Sequence, residues 1–432
     1  MSAFPRTDRP PARRRPELAL RAAARAVLGA LLALIGTVMI LAGAVAALVG
    51  RVGPRPAKPR LLWGTQPIVS LVNISRALAQ GGYPSETVTV TPPSLYAREL
   101  FDHHPYQRSG NAGLIFLGNH LRAYRFFMAA LSRYDVFHYF FDGGILTWTP
   151  LARVELPLLR ALGKRLVVMP YGSDSFVFDE IANPLWRQAL MIEYAQLGND
   201  AERIQRRVRR ATRHADVVVG SVVHVSCLPR WDVLPVTAYP IDTDAFEPVP
   251  PSLEGPVRIV HSANHRGAKG TDFLVAAVEE LRAEGFDLEL DLIERVPNSE
   301  ALARMARADV YVDQLVFGYA MAALEAMALG KVVISGFEDT PDYTLFRRYS
   351  YLGECPIAPA SPDTITEVLR ELIADRARWH ELGRASRAYV ERRHSYAAAR
   401  ELYGSIYRRV WDGEDVDLIN LYHPLHERAR LH

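Results

Sequence analysis

The sequence contains little cysteine and little net charge, and both shortages exclude classes of protein. Its two cysteines, Cys227 and Cys355, lie far apart in 432 residues, so they provide neither a disulfide framework nor the spacing of a metal site. This cysteine content fits a reducing compartment. The formal net charge of +3 is small for the length and gives no reason to expect a nucleic-acid partner. The length itself suits two or three globular domains.

Charge is unevenly distributed at the N-terminus. Residues 1–25 form a basic tail with seven arginines, and residues 26–50 contain no charged side chain. Such an apolar run is long enough to span a bilayer and too long for the apolar core of a signal peptide. It predicts a transmembrane helix over 26–50, followed by a linker over 51–60. The sequence "AVA" at 44–46 leaves a cleaved signal peptide as one alternative, and a buried helix is another.

Strand and helix patterns alternate through the rest of the chain. The strand "LLW", the turn "GTQP" and the helical "IVSLVNISRALAQ" open a doubly wound α/β unit. A second unit starts at "VRIVHSA", after a linker rich in Pro and Asp over 239–256. The predicted fold class is α/β, with two Rossmann-like domains over 61–248 and 256–412 that face a cleft. A tail over 413–432 follows.

One charged residue stands out in the second unit. Residues 319–329 are nearly all Ala, Met and Leu, which predicts a buried helix between Gly318 and Gly330. Glu325 lies in its middle and is the only charge between Asp313 and Lys331. An unpartnered buried carboxylate costs several kcal/mol. Glu325 is therefore expected to have a partner or to face the cleft.

Two stretches of this unit carry a family resemblance. They are "HRGAKGTDFLVAA" (265–277) and "ADVYVDQLVFGYAMAALEAMALGKVVISG" (308–336). Together they resemble the retaining glycosyltransferases of GT-B fold, family 4, and the resemblance covers roughly residues 60–410. It implies a nucleotide-sugar donor as substrate, no separate cofactor, and a sugar or lipid-linked acceptor. No metal site is predicted: "IDTDAF" has a suitable Asp spacing, but it lies in the linker and is interpreted as a turn.

The resemblance implies a donor site built from loops and one helix. The donor-binding residues it implies are Gly64, Arg266, Lys269, Gly270, Gly318, Tyr319 and Glu325. Lys269 and Arg266 would contact the diphosphate, and backbone N–H groups at a helix start would favour the same anion. Glu325 would accept hydrogen bonds from the ribose hydroxyls. The alternatives are an exposed loop lysine and a glutamate paired with a nearby arginine.

The sugar end of the site departs from the family pattern. Phe317 stands where the family has a first Glu that meets the transferred sugar, and Phe140 stands where it has a second His. The predicted catalytic residues are His138, in "DVFHYFF", and Asp174, in "YGSD". The alternatives are a histidine packed in its strand and a carboxylate that caps a helix.

Two functions remain open at this point. One is a glycosyltransferase with a variant site, which acts in cell-envelope or exopolysaccharide synthesis. The other is a catalytically degenerate GT-B protein that serves as a membrane-tethered partner or scaffold. A GT-B epimerase shares the architecture, but no residue favours it.

The expected location is the inner (cytoplasmic) membrane, with a single pass and cytoplasmic catalytic domains, because nucleotide sugars are cytoplasmic. The arginine count on the two flanks of 26–50 favours the opposite orientation. The helix could therefore insert with its N-terminus outside or lie in the membrane without crossing it, or the domains could be external. The basic helix "RIQRRVRRATR" (203–213) is either a lipid contact or a solvated face.

Overall fold

The structure is a computed structural model that describes residues 15–50, 55–91, 98–107, 111–263, 265–337 and 340–425. Parts of three predicted segments lie outside the described residues: positions 1–14 of the basic tail, 51–54 of the linker and 426–432 of the C-terminal tail. The described chain begins with one long helix, α1 (Arg15–Val49), which starts eleven residues before the predicted position 26.

The first domain is built on a five-stranded parallel sheet. Its strands are β1 (Leu61–Thr65), β2 (Ser85–Thr89), β3 (Val136–Tyr139), β4 (Arg165–Val168) and β5 (Val217–Val218), in the order β2-β1-β3-β4-β5. Its helices are α2 (Val69–Gln80), α3 (Ala112–Arg133), α4 (Glu155–Ala161), α5 (Pro184–Glu193), α6 (Ala195–Asn199) and α7 (Ala201–His214). Every residue of β1 and β3 is buried, as expected for a parallel sheet covered by helices on both faces.

The second domain repeats this plan. Its strands are β6 (Val257–Ser262), β7 (Leu288–Ile293), β8 (Val310–Val312), β9 (Val332–Ser335) and β10 (Ala358–Pro359), in the order β10-β9-β8-β6-β7. Its helices are α8 (Arg266–Lys269), α9 (Thr271–Ala283), α10 (Asn298–Ala306), α11 (Met321–Ala328), α12 (Pro341–Tyr349), α13 (Ile365–Ala374) and α14 (Trp379–His394). Both sheets therefore have a switch point, between β1 and β3 and between β6 and β8, where such folds bind ligands.

The last helices return to the first domain. Helix α15 (Tyr396–Tyr407) and the π-helical turn Arg408–Asp412 were predicted as part of the second domain. Instead, Tyr403 packs edge-on against Trp63 of β1, at 4.9 Å between ring centroids. Tyr407 and Trp411 belong to the same apolar cluster as Trp63. The chain thus crosses between the domains twice, and its C-terminal helix completes the core of the first one.

The apolar N-terminal helix packs along α3. An added Cβ at Gly43 would lie 2.5 Å from Cγ of Met128, and one at Gly36 would overlap the ring of Tyr124, so both glycines allow close approach. Among the described residues, Ala26–Val49 is the one helix long and apolar enough to cross a membrane, by length and composition alone, and a third of its most apolar window is buried. The position of α1 is therefore fixed by a protein surface as well as by any lipid.

Candidate active site

A cavity of about 360 Å³ lies between the two domains, at the carboxyl ends of both sheets. Its lining is mostly apolar, with a few polar groups. The first domain contributes Ile68, Val69, Tyr171, Phe176 and His224, and the second contributes His265, Lys269, Gln314, Phe317, Tyr319, Ala320 and Met321. Of the nine predicted site residues, Lys269 and Tyr319 line this cavity.

Lys269 is the lysine that the second domain contributes to the cavity lining. It ends α8, and its carbonyl accepts a hydrogen bond from Leu315 N (3.0 Å), which ties the loop after β6 to the loop after β8. Its ammonium lies 3.3 Å from the Oδ1 atom of Asp313, a carboxylate that is 0% exposed. Asp313 also accepts from Ala320 N (2.8 Å) and so connects Lys269 to the segment before α11. The predicted charge after β6 is therefore present in the cleft, in a fixed position.

Glu325 lies close to this pair. It is largely buried in α11, and burial raises its pKa to about 7. A hydrogen bond with Asn298 and the charge of Lys269 lower the pKa, whereas the charge of Asp313 raises it. Glu325 therefore has two partners, the Asn298 amide and the Lys269 ammonium, and it shares the ammonium with Asp313. Glu325 is not among the residues that line the cavity.

The start of α11 differs from the prediction. The helix begins at Met321 with Ala320 as its N-cap, so Gly318 and Tyr319 precede it. Gly318 instead offers its carbonyl to the amide of Gln314 (2.6 Å), and Tyr319 directs its hydroxyl away, to Tyr389 and His394 (2.9 Å each). The N-cap residue, Ala320, forms no side-chain hydrogen bond to the first turn of α11, and its own N–H donates to Asp313 (2.8 Å). The first N–H groups of α11 therefore lie at the cavity wall beside Ala320 and Met321.

Arg266 does not join Lys269. Its side chain is 46% exposed and forms ion pairs with Asp272 (2.9 Å) and Glu294 (2.8 Å) on the surface. These partners also explain the raised pKa of Arg266. Gly270, predicted to bind the donor, has a structural reason to be glycine: its φ of +73° is left-handed, and a Cβ would lie 3.0 Å from Cβ of Leu315.

Gly64 lies inside β1 rather than in a turn after it. A Cβ at this position would lie 2.7 Å from Cγ1 of Val88, so the glycine serves the close pairing of β1 with β2. The prediction that Gly64 lies in a turn after the strand is therefore wrong, and its contact with a donor stays a prediction. The first partly exposed residues at this sheet edge come later, from Gln66 onward.

His138 lies in the core, and the prediction that it reaches the cleft is wrong. It is 0% exposed and stacks on Trp63 at 3.5 Å. Its Nδ1 atom pairs with the carbonyl of Leu62 (3.2 Å) and its Nε2 atom with the hydroxyl of Tyr407 (2.9 Å). Burial lowers the pKa of His138 to about 3, so the imidazole is neutral and internally hydrogen-bonded.

Asp174 organises a loop instead of facing substrate. Its carboxylate accepts from the backbone N–H groups of Phe141, Tyr171 and Gly172 at 3.0–3.1 Å, and it is 2% exposed. This joins the loop after β4 to the loop after β3. Burial, with the nearby charge of Asp142, raises the pKa of Asp174 to about 7.

Asp142 is a candidate that the sequence analysis missed. It follows β3 at the switch point of the first sheet, and its Oδ2 atom accepts from the Gln66 amide (2.5 Å) and the Tyr171 hydroxyl (3.3 Å). Its Oδ1 atom is buried and has no hydrogen-bond partner within the described residues. Burial raises the pKa of Asp142 to about 6. The "FDGG" sequence after a buried strand was the available signal.

Aromatic and hydrogen-bond contacts join the two domains beside the cavity. Phe317 packs on Trp186 of α5, with ring centroids 5.7 Å apart, and Trp186 also meets Tyr343 of the second domain. Glu193, at the end of α5, accepts from the backbone N–H of Gly267 (2.9 Å). Where the family has a sugar-binding Glu, this chain therefore has an aromatic contact that joins the two domains.

No protein-family model matches the sequence, and no curated protein matches it by sequence. By structure, the chain is similar to Anabaena Alr3699/HepE in complex with UDP-glucose, at 11% identity, covering 81% of this chain and 99% of that chain with a TM-score of 0.51. It is also similar to an alpha-glucosyltransferase in complex with UDP-glucose and DNA containing an abasic site, at 13% identity, with coverage of 81% and 99% and a TM-score of 0.51. A glycosyltransferase from Rickettsia africae ESF-5 is similar at 12% identity, with coverage of 83% and 100% and a TM-score of 0.51. These likenesses establish the fold, and the chain has the two-domain GT-B architecture.

Proposed function

We propose that the protein is a membrane-anchored glycosyltransferase that moves a sugar from a nucleotide-sugar donor to an acceptor with retention. The observation that carries the proposal is the position of Lys269 beside the uncapped start of α11, in the cavity between the domains. Structurally similar proteins were solved with UDP-glucose, which supports the choice of donor class. The acceptor is proposed to be a sugar or a lipid-linked sugar of the cell envelope.

The donor diphosphate would lie against the second domain. The Lys269 ammonium and the first N–H groups of α11 are the cationic and dipolar donors that a diphosphate requires. In the same position they would offset the negative charge that develops on the departing phosphate. Gln314 lines the cavity and would orient the nucleoside, whereas Glu325 acts on this end of the site through its charge interaction with Lys269.

The acceptor would lie against the first domain. Asp142 replaces His138 and Asp174 as the proposed contact to an acceptor hydroxyl, because it follows β3 at the switch point of the first sheet and is partly exposed, whereas the other two are buried. Its pKa is raised to about 6. Gln66 and Tyr171 hold its Oδ2 atom. Retention is proposed from the family resemblance, in which the departing phosphate serves as the base.

A degenerate GT-B protein is the second candidate, and one observation favours it. Phe317 fills the position of the family's first Glu and packs on Trp186, so that side chain provides no polar contact to a transferred sugar. In this case the cavity would bind a nucleotide without sugar transfer. Both candidate functions include nucleotide binding in this cavity, and only the first includes sugar transfer.

The test compares two basic residues of α8 in the full-length protein. Binding of UDP and GDP is measured by calorimetry for the parent, Lys269→Met and Arg266→Ala. Loss of a charge-assisted hydrogen bond costs about 1.5–3 kcal/mol, so Lys269→Met should weaken binding roughly 10- to 100-fold. Arg266→Ala should change it less than about 2-fold, because its ion pairs lie on the surface.

The outcomes separate the candidates. Equal weakening in both variants, or none in Lys269→Met, contradicts the proposed donor site. Binding that is followed by release of sugar from a UDP-sugar supports the transferase, and Asp142→Asn should then slow that release without weakening UDP. Binding with no release from any common nucleotide sugar supports the degenerate protein.

A further inference from the structure

The outer face of α1 is apolar from residue 26 to residue 49. Leu34, Val38 and Leu41 are 64%, 62% and 58% exposed, and Thr37 is the one polar side chain in 26–49. Thr37 donates its hydroxyl hydrogen to the carbonyl of Ala33 (2.8 Å). A surface helix of a soluble domain has polar residues on its outer face. This face therefore requires an apolar environment.

The inner face of α1 is docked on the first domain. Leu32, Gly36, Gly43 and Ala47 are buried, and the two glycines contact α3 directly. This contact runs over residues 32–47, which is roughly 24 Å at 1.5 Å per residue. The contact thus uses most of the segment that a transmembrane helix would place in the bilayer.

Helix α3 itself cannot enter hydrocarbon. Phe127 and Leu131 of this helix are fully buried, in the same apolar cluster as residues of the first sheet. Arg125 is exposed on α3, and Arg122 is partly exposed. The apolar part of α1 before the docked stretch is residues 26–31, roughly 9 Å long, whereas a bilayer core is about 30 Å thick.

A basic cavity lies at the C-terminal end of α1. Its volume is about 400 Å³, and Ala47 and Gly50 form one wall. Four cationic side chains line it: Arg55, Arg60, Lys164 and Arg165. Asp135 is the one acidic residue among the described residues of the lining. Asp135 is neutralised by a two-point ion pair with Arg60, at 2.8 Å for each contact, and Arg165 is paired with Asp216 at 3.4 Å. The Arg55 guanidinium lies over the ring of Trp411, 3.7 Å from its centroid. The cavity is therefore complementary to an anionic headgroup beside the apolar face.

We propose that α1 lies in the plane of an anionic leaflet, docked on α3, and does not cross the bilayer. Its outer face contacts acyl chains, together with Leu114 and Phe116, which are exposed on the first turns of α3. The basic cavity receives lipid phosphate. The N-terminus and both domains then lie on one side of the membrane, which removes the conflict between the arginine count and a cytoplasmic donor. This inference rests on the membrane anchoring in the proposed function and on no part of its sugar chemistry.

The first test is the side on which the N-terminus lies. In the full chain with Cys227→Ala and Cys355→Ser, single cysteines are introduced by Ser2→Cys or Glu202→Cys, the latter on a side chain that is 88% exposed. A membrane-impermeant maleimide is applied to inverted and right-side-out vesicles. We expect both cysteines to react in the same vesicle preparation. Reaction in opposite preparations shows a crossing helix and overturns the inference, while leaving membrane anchoring intact.

The second test is docking of α1 within the membrane. The Gly43→Cys/Met128→Cys pair should form an intramolecular disulfide, because a Cβ at position 43 lies 2.9 Å from Cα of Met128. The matched Gly29→Cys/Met128→Cys pair should not, since a Cβ at Gly29 has no atom within 4 Å. Absence of the first disulfide in membranes, or equal formation of both, overturns the inference.

The third test is lipid charge. The protein is mixed with vesicles of phosphatidylcholine alone or with phosphatidylglycerol added, and bound protein is sedimented. We expect at least several-fold stronger binding to the anionic vesicles and a reduction of that difference in Arg55→Glu/Arg60→Ala. Equal binding to both vesicles overturns the headgroup site. Protein that stays soluble without either lipid or detergent overturns the membrane anchoring on which the inference rests.

Discussion

Replacement of Glu325 by Gln should make the protein more stable at alkaline pH and change little under acid conditions. The pKa of this carboxyl is about 7 in the fold and 4.5 in its ordinary state, mainly because burial disfavours the charged form. The folded state therefore binds the proton more tightly than the unfolded state. The stability that this protonation contributes is fully present below pH 4.5 and is lost as the pH rises through about 7.

The magnitude follows from the difference between the two pKa values. At 1.36 kcal/mol per pH unit, it corresponds to about 3 kcal/mol at pH 8, which is an upper figure for a side chain with some exposure. The Glu325→Gln variant carries no charge at any pH and keeps a hydrogen-bonding amide for Asn298. We expect the stability of the variant minus that of the parent to rise by about 2.5 kcal/mol between pH 5 and pH 8, because the remainder of the difference develops below pH 5.

The assay is urea unfolding of both proteins at pH 5, 6, 7 and 8. Other buried carboxyls titrate in this range, including Glu155 and Asp174, whose pKa values are about 7. They affect both proteins equally, so the difference between the two curves isolates Glu325. The exposed Glu202→Gln serves as the control for removal of a charge. Parallel curves for the parent and Glu325→Gln would refute the reasoning.

Three further predictions concern packing. Gly270→Ala should lower the stability by more than Gly255→Ala, because both glycines have a φ of +73° but only Gly270 has a neighbour within 4 Å of an added Cβ. The expected loss of stability at Gly255 is about 1 kcal/mol, and thermal unfolding of both variants measures the difference. His138→Phe should lower the stability by about 1–3 kcal/mol, because the Tyr407 hydroxyl loses its partner, and should leave the nucleotide affinity unchanged. Weaker UDP binding by this variant would support the original prediction that His138 is a site residue. Trp186→Ala should cost about 3–5 kcal/mol and increase proteolysis between the domains; a cost below 1 kcal/mol would show that Trp186 does not join them.

The features that could be predicted are those that local sequence determines. The apolar pattern of 319–329 and the turn at Gly330 place α11 to within two residues, since helix propensity and a left-handed stop act over one or two turns. Lys269 follows β6 directly, so its position at the cleft depends on one strand and one short helix. The two-domain organisation follows from the alternation of strands and helices and from the Pro-rich linker.

The errors concern residues whose environment comes from distant segments. His138 is enclosed by Tyr407, which is 269 residues away in the chain. Arg266 is held on the surface by Asp272 and Glu294, and a motif does not reveal such pairing. Asp142 becomes a candidate through Gln66, from a different strand end. In each case the tertiary partner, and not the residue type, decides the role.

Helix α3 was not predicted, for a related reason. Its charged residues, Arg122, Arg125 and Arg133, lie from its midpoint onward. Its first turns expose apolar side chains instead, among them Leu114 and Phe116, so no polar stripe runs along the whole helix. A single-sided amphipathic pattern appears only where a helix has one buried face. Its place in the same apolar cluster as residues of the first sheet, together with its contact with α1, makes α3 the link between the first domain and the N-terminal helix.

The return of α15 to the first domain has a consequence for synthesis on the ribosome. All five strands of the first sheet emerge before the second domain is made, yet Trp63 and His138 obtain their partners Tyr403 and Tyr407 only when the last helix appears. The first domain to be synthesised is therefore the last to be completed, and its apolar surface stays open to chaperones during translation. A chain that stops at residue 394 contains every strand of both sheets and still lacks part of the core of its first domain.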